Sequence, residues 1–172
     1  MTPHNGTLVT DTHVYFLNGP FSQWYPCEFT EGLNDTDRRF NCAEQFMMAC
    51  KAFMFNDLDI LEKIMASSSP REQKALGRKV SNFNPDAWNE VAQEFVHIGN
   101  LAKFSQNPDL KEYLLSSDDR HLVEGADYDP IWGVGVDWND PAILDSKNWR
   151  GTNWLGETLM RVRKTLQQSN IS

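Results

Sequence analysis

The sequence predicts an α+β fold, a single compact domain that is mostly helical and carries a small antiparallel sheet. Three observations lead there. Long stretches repeat apolar residues at helical spacing between recognisable caps. Short apolar runs bounded by Gly, Pro and Asn mark a few strands. A length of 172 residues with 40% apolar content suits one domain with a core of its own.

Residues 1–12 are polar and read as a flexible N-terminal tail, ahead of a domain over 13–168. Val14-Tyr15-Phe16-Leu17 reads as a strand stopped by Asn18-Gly19-Pro20. Phe21-Ser22-Gln23-Trp24-Tyr25-Pro26 is an aromatic loop, either packed locally or offering a flat wall to a planar ligand. Cys27 to Phe29 and Arg39-Phe40 are expected to pair as a hairpin around the polar turn Glu31 to Asp37.

A central helix then starts at Asn41 or Cys42 and runs to Phe55. It is apolar all round, which places it inside the fold, yet it carries Glu44 and Lys51. At about 100° per residue Glu44, Met48, Lys51 and Phe55 share one stripe, with Phe46, Ala49, Cys50 and Phe53 opposite. The acid and the base stand roughly 10 Å apart along the axis. Two readings fit: a buried ion pair with snorkelling ends, or an active-site floor with shifted titratable groups.

Further helices follow from their caps. Asp57 caps one through Met65. Ser69, with Pro70 and Glu72 behind it, starts one that ends at Gly77-Arg78-Lys79. Asn84-Pro85-Asp86 opens the longest, through about Phe104, and Asn107-Pro108 opens another. His121 to Gly125 reads as a strand, 126–152 as a long irregular loop, and Asn153 through Gln167 as a final amphipathic helix. A loop of that length is usually functional or disordered, and this one has too many aromatics for disorder.

Composition excludes several classes. A net charge of −8 argues against a stable nucleic-acid clamp, which needs clustered Lys and Arg. Three cysteines without a C-x-x-C indicate neither a disulfide framework nor a zinc site. They point to a reducing, cytoplasmic setting. No 18-residue apolar run is present, so no membrane partner is expected. Gly133-Val134-Gly135 lacks the third glycine and the strand–turn–helix context of a dinucleotide site. The four histidines are scattered, so no metal and no cofactor are expected.

The loop Glu124 to Gly135 sets Asp127 and Asp129 beside Trp132 and two glycines, and Trp149 to Gly156 leads into the last helix. One reading is a tight Asp-Pro turn with Trp132 filling core. The other is a ligand site, with backbone amides at a helix start for an anionic group. A buried acid plus a second acid on a loop is also the arrangement that breaks a glycosidic bond.

Several segments together resemble the NADAR (YbiA-like) family. They are Asp11-Thr12-His13-Val14-Tyr15-Phe16, Phe21 to Pro26, Cys42 to Ala52, Leu76-Gly77-Arg78, Leu101 to Asn107, Leu122-Val123-Glu124, Asp129 to Gly135 and Asn153-Trp154-Leu155-Gly156. They run in order from about residue 11 to 166 and make 13–168 a NADAR-like domain.

The resemblance implies an N-glycosidase of ribosyl–base linkages, acting on a small ribosylated base such as a riboflavin-pathway ribotide, or on ADP-ribosylated guanine in a nucleoside or nucleic acid. It implies Glu44 as the catalytic acid/base and Lys51 as either an electrostatic contact or a Schiff-base nucleophile. Asp129 is expected to orient sugar or water. Ser22, Trp24, Arg78, Trp88, Trp132, Gly133 and Asn153 are the expected substrate-binding set, with Arg150 a second candidate for phosphate. Some members read Ser-Glu-His where this chain has Ala43-Glu44-Gln45, and Gln where it has Met48, which bears on specificity. The rival from another class is a non-catalytic ADP-ribose or nucleotide sensor using the same residues.

Overall fold

The structure is a computed structural model that describes residue 1 and residues 4–169. Its architecture is α+β, with six α-helices and five short strands among the described residues. Two compact units make it up. One is Pro26–Asn107; the other joins Met1–Tyr25 to Pro108–Ser172.

Strands β1 (Thr7–Val9) and β2 (His13–Phe16) belong to the second of these, and the next two strands with the central helix to the first. β3 (Phe29–Leu33) and β4 (Thr36–Phe40) pair antiparallel, Phe29 opposite Phe40 and Leu33 opposite Thr36. The hairpin is tighter than the expected turn over Glu31 to Asp37. Asn34 and Asp35 both adopt positive φ, 57° and 56°, as a two-residue type I′ turn requires. Phe29 stacks on Phe40, and Phe40 meets Phe46 edge-on at 5.0 Å, which seats the hairpin on the next helix.

That helix, α1 (Ala43–Met54), starts after Cys42 as expected. Every residue from Ala43 to Ala52 is buried, and the helix emerges only at Phe53 and Met54. Phe53 therefore leaves the buried face on which its helical position put it. Around α1 pack α2 (Leu58–Ala66), α3 (Pro70–Gly77) and α4 (Pro85–Gln106). Their caps are the predicted ones. The side chains of Asp57, Ser69 and Asn84 accept from the backbone N–H groups of Ile60, Glu72, and both Asp86 and Ala87.

A buried polar network pins the start of α1. The Gln45 side-chain oxygen accepts from the Asn41 backbone N–H, while its Nε2 donates to the carbonyls of Ile64, Met65 and Ser67. Gln73 reaches the same corner, donating to Asn41 Oδ1 and the Ser67 carbonyl. Gln45→Leu strands these groups in the interior, at roughly 1–3 kcal/mol for each polar group left unpaired. The expected loss of stability is about 2–4 kcal/mol, read by urea denaturation. A loss under about 0.5 kcal/mol, the range of a surface change, would mean that these groups find other partners.

In the other unit, β1 (Thr7–Val9) pairs antiparallel with β2 (His13–Phe16), and β2 pairs parallel with β5 (His121–Glu124). The residues read as a tail thus include a strand. The expected antiparallel sheet is two small sheets, with one parallel pair among antiparallel ones. α5 (Pro108–Leu115) and α6 (Trp154–Ser169) complete the unit, and α6 packs on β5.

The long loop between β5 and α6 is ordered by its own acids. Oδ1 of Asp137, Asp140 and Asp145 each accepts a backbone N–H two residues on, and the latter two open short 3₁₀ turns over Pro141–Leu144 and Ser146–Asn148. Val134, Val136 and Ile143 bury against Tyr15 and Val123, and Trp149 Nε1 donates to the Ile143 carbonyl. No helix among the described residues is long and apolar enough to cross a membrane.

Candidate active site

Glu44 lies in the first turn of α1 and Lys51 in its last. Both are nearly enclosed, at 5% and 9% exposure. Charges this buried are retained only where something answers them. Loss of hydration is the largest influence on Lys51 and lowers its pKa. The Glu44 carboxylate pulls it back up, and the Arg78 guanidinium pushes it down again. Lys51 Nζ sits against the face of Phe83, 3.9 Å from the ring centre.

Arg78 reaches this stripe because α3 comes unusually close to α1. A Cβ on Gly77 would stand 2.0 Å from Met48 Sδ, so only glycine permits the approach without displacing Met48. Arg78 caps the C-terminus of α3 and keeps its side chain exposed. The structure therefore brings together Glu44, Lys51 and Arg78 of the predicted set.

Trp88 belongs to the same unit but reads differently. It is buried, and its ring lies nearly parallel to that of Phe95 at 5.9 Å, one face already covered. That is packing within α4.

The remaining predicted residues lie in the other unit. Asp129 Oδ1 accepts the backbone N–H groups of Ile131 and Trp132, so the carboxylate holds its own turn. Trp132 is half-buried, its edge against Trp154 at 5.5 Å. A Cβ on Gly133 would lie 2.9 Å from the Asp129 carbonyl oxygen, which makes this glycine a packing requirement of the turn.

Asn153, at φ 53°, clamps the end of the loop onto β5. Its Oδ1 accepts from the Glu124 N–H and its Nδ2 donates to the Leu122 carbonyl. Ser22 Oγ accepts the Trp24 N–H, and Trp24 keeps 38% of its surface open. Arg150 lines a cavity of about 410 Å³ together with Asp127, Asp137, Asp140, Lys147 and Trp149. None of the predicted catalytic side chains borders that cavity.

Sequence reasoning missed Gln45, Gln73 and Phe83. Gln45 stands next to Glu44 in an otherwise apolar helix, and that polarity was the available signal. Nothing local marks Phe83, since its role comes from a contact 32 residues away in the chain.

The NADAR domain family matches this chain over residues 13–167. The chain belongs to that family. An N-glycosidase of Acanthamoeba polyphaga mimivirus is 40% identical over 170 residues, a match spanning 94% of this chain and 100% of that protein. A chloroplastic riboflavin biosynthesis protein of Arabidopsis thaliana is 33% identical over 119 residues, which is 66% of this chain and 18% of the plant protein. The NMR structure of the E. coli protein YbiA aligns with a TM-score of 0.75 at 25% identity, covering 97% of this chain and 92% of that one. The NADAR match takes in both the Glu44 helix and the Asp129 turn.

Proposed function

We propose that this NADAR chain cleaves the N-glycosidic bond between a phosphoribosyl or ADP-ribosyl group and a nitrogenous base. Family membership and relatives named N-glycosidases make it a hydrolase acting on N-glycosyl bonds. The riboflavin biosynthesis relative supports including ribotides among its substrates. The observation that carries the residue assignment is the enclosed Glu44 on one stripe with an enclosed, partly desolvated Lys51.

In this reading Glu44 is the general acid that protonates the departing base nitrogen, and Lys51 is the nucleophile. The Lys51 amine attacks C1′ as the bond to the base breaks. The proton shed by the attacking nitrogen returns Glu44 to its acid form. Glu44 passes that proton to the ring oxygen as the C1′–O4′ bond opens and leaves an iminium. Water adds to C1′, giving Glu44 a proton that returns to nitrogen as the C1′–N bond breaks. The hydroxyl proton goes back to Glu44 as the sugar leaves as its aldehyde and the amine is restored. Burial of Lys51 favours the neutral amine this step needs. Arg78 is the proposed phosphate contact.

The test is incubation with ADP-ribosyl-guanosine and with aminouracil ribotides, watching for free base. Release from at least one is the expected result, and no release from either would reject the substrate class. Borohydride added during turnover should reduce the iminium and leave a ribosyl-sized adduct on Lys51, located by intact mass and peptide mapping. If no adduct is trapped and Lys51→Arg keeps substantial activity, the charge alone suffices and Lys51 is not the nucleophile.

A further inference from the structure

The Lys51 ammonium does not end in open space. It rests on the face of Phe83, 3.9 Å from the ring centre. Phe83 is 39% exposed, so the ring that Lys51 rests on borders solvent and is not part of the buried core.

One ring contact and a tied loop hold Phe83 in place. Phe55, one turn beyond Lys51 on the same stripe, meets it edge-on at 5.3 Å and 77°. Two residues earlier, the Ser81 backbone N–H donates to Asp57 Oδ2, tying the loop to the start of α2. One residue later, Asn84 caps α4. Asn82 between them takes φ 56°, which turns the chain at this point.

We propose that Phe83 is a positioning residue for Lys51, its ring face holding the ammonium at the exposed end of the Glu44 stripe until substrate arrives. This deepens the proposed reading of Lys51 and rests on it.

The face of an aromatic ring is negative and attracts a cation but not a neutral amine. Phe83 therefore stabilises the charged form, against the burial that favours the neutral one. Glu44 on α1 adds to the ring's effect, and Arg78 at the end of α3 opposes it. Although α2, α4 and β4 also pack on α1, these two are the charges among the described residues that act on Lys51. Lys51 is thus stored as an ammonium beside an ionised Glu44. When substrate displaces it from the ring its proton passes to the Glu44 carboxylate, which leaves the neutral amine for C1′ and Glu44 in the acid form.

Two explanations for any effect of Phe83 predict opposite orders. Trp offers a stronger ring face than Phe, and Leu offers none. If the ring face is what matters, the pH at which Lys51 titrates falls in the order Trp, Phe, Leu, with Leu roughly half a pH unit to one unit below Phe. If Phe83 only shields Lys51 from water, the larger Trp lowers that pH and the smaller Leu raises it.

The experiment is a pH titration of ¹³C-lysine-labelled protein by NMR, following the Lys51 Cε resonance, assigned by its loss in Lys51→Arg. It is run on the parent chain, Phe83→Trp and Phe83→Leu, with thermal melts confirming that each variant folds. The order Trp above Phe above Leu is the expected result. The reverse order, or no movement, overturns the proposal. Because the titration needs no turnover, it separates from the base-release assay. An inactive chain with the expected order would reject the enzymatic reading while leaving the Phe83–Lys51 contact established.

Discussion

Glu44→Gln is expected to fold as the parent chain does and to lose turnover by about 10²–10⁴-fold, the usual contribution of a positioned general acid. Gln matches Glu in shape, so the enclosed position at the start of α1 stays filled and the helix keeps its packing. What the amide lacks is a proton it can hand to a leaving base. The rate should be measured at saturating substrate, because an effect on KM alone would point to binding. A thermal melt alongside it shows that the fold is intact. A folded variant turning over at near parental rates would take Glu44 out of the chemistry and favour a binding role for the whole stripe.

The largest expected effect on stability belongs to Lys103, which lies wholly inside the unit containing α1. Loss of hydration pulls its pKa down to about 8, and the Cys27 and Cys42 thiols draw it partly back. A solvated lysine holds its proton to 10.5. Between these values the unfolded chain binds more protons than the folded one, so stability rises with pH across that interval. Below about 8 both forms carry the charge, and the cost is constant. The full interval is worth about 3 kcal/mol, at about 1.4 kcal/mol for each pH unit.

Cys42 works in the opposite direction at higher pH. Burial pushes its thiol from 9 up to about 11, so the unfolded chain loses that proton first and stability declines above about 9. Wild-type stability is therefore expected to climb from pH 8 to about 9 and then level or fall. Lys103→Met removes its own part of the climb, keeps what the lowered Lys51 adds, and leaves the decline. Urea denaturation at half-unit steps from pH 7.5 to 9.5 reads the difference. Parallel curves for the two proteins would show that Lys103 titrates as an ordinary lysine.

Local signals determined a good part of this molecule. Caps lie within three residues of the groups they satisfy, so Asp57, Ser69 and Asn84 could be read directly, and each caps its predicted helix. The burial of α1 was also legible, because a helix apolar on every side has nowhere else to go. That same reading placed Glu44 and Lys51 inside, and the ordered set of motifs led to the NADAR family.

Tertiary structure decided the rest. A parallel pairing such as His13 with His121 joins residues far apart in sequence, and no local pattern records it. Asp129 and Asn153 show a second limit. The side chain of either residue can contact a ligand or satisfy nearby backbone, and the residue type is the same in both uses. Here the Asp129 carboxylate holds the turn before Trp132 and the Asn153 amide clamps β5, which only the hydrogen bonds reveal. The placing of Lys51 on Phe83 is of the same kind. The sequence by itself set an acid and a base on one buried stripe; the loop before α4, brought over that stripe by packing, decided what the base touches.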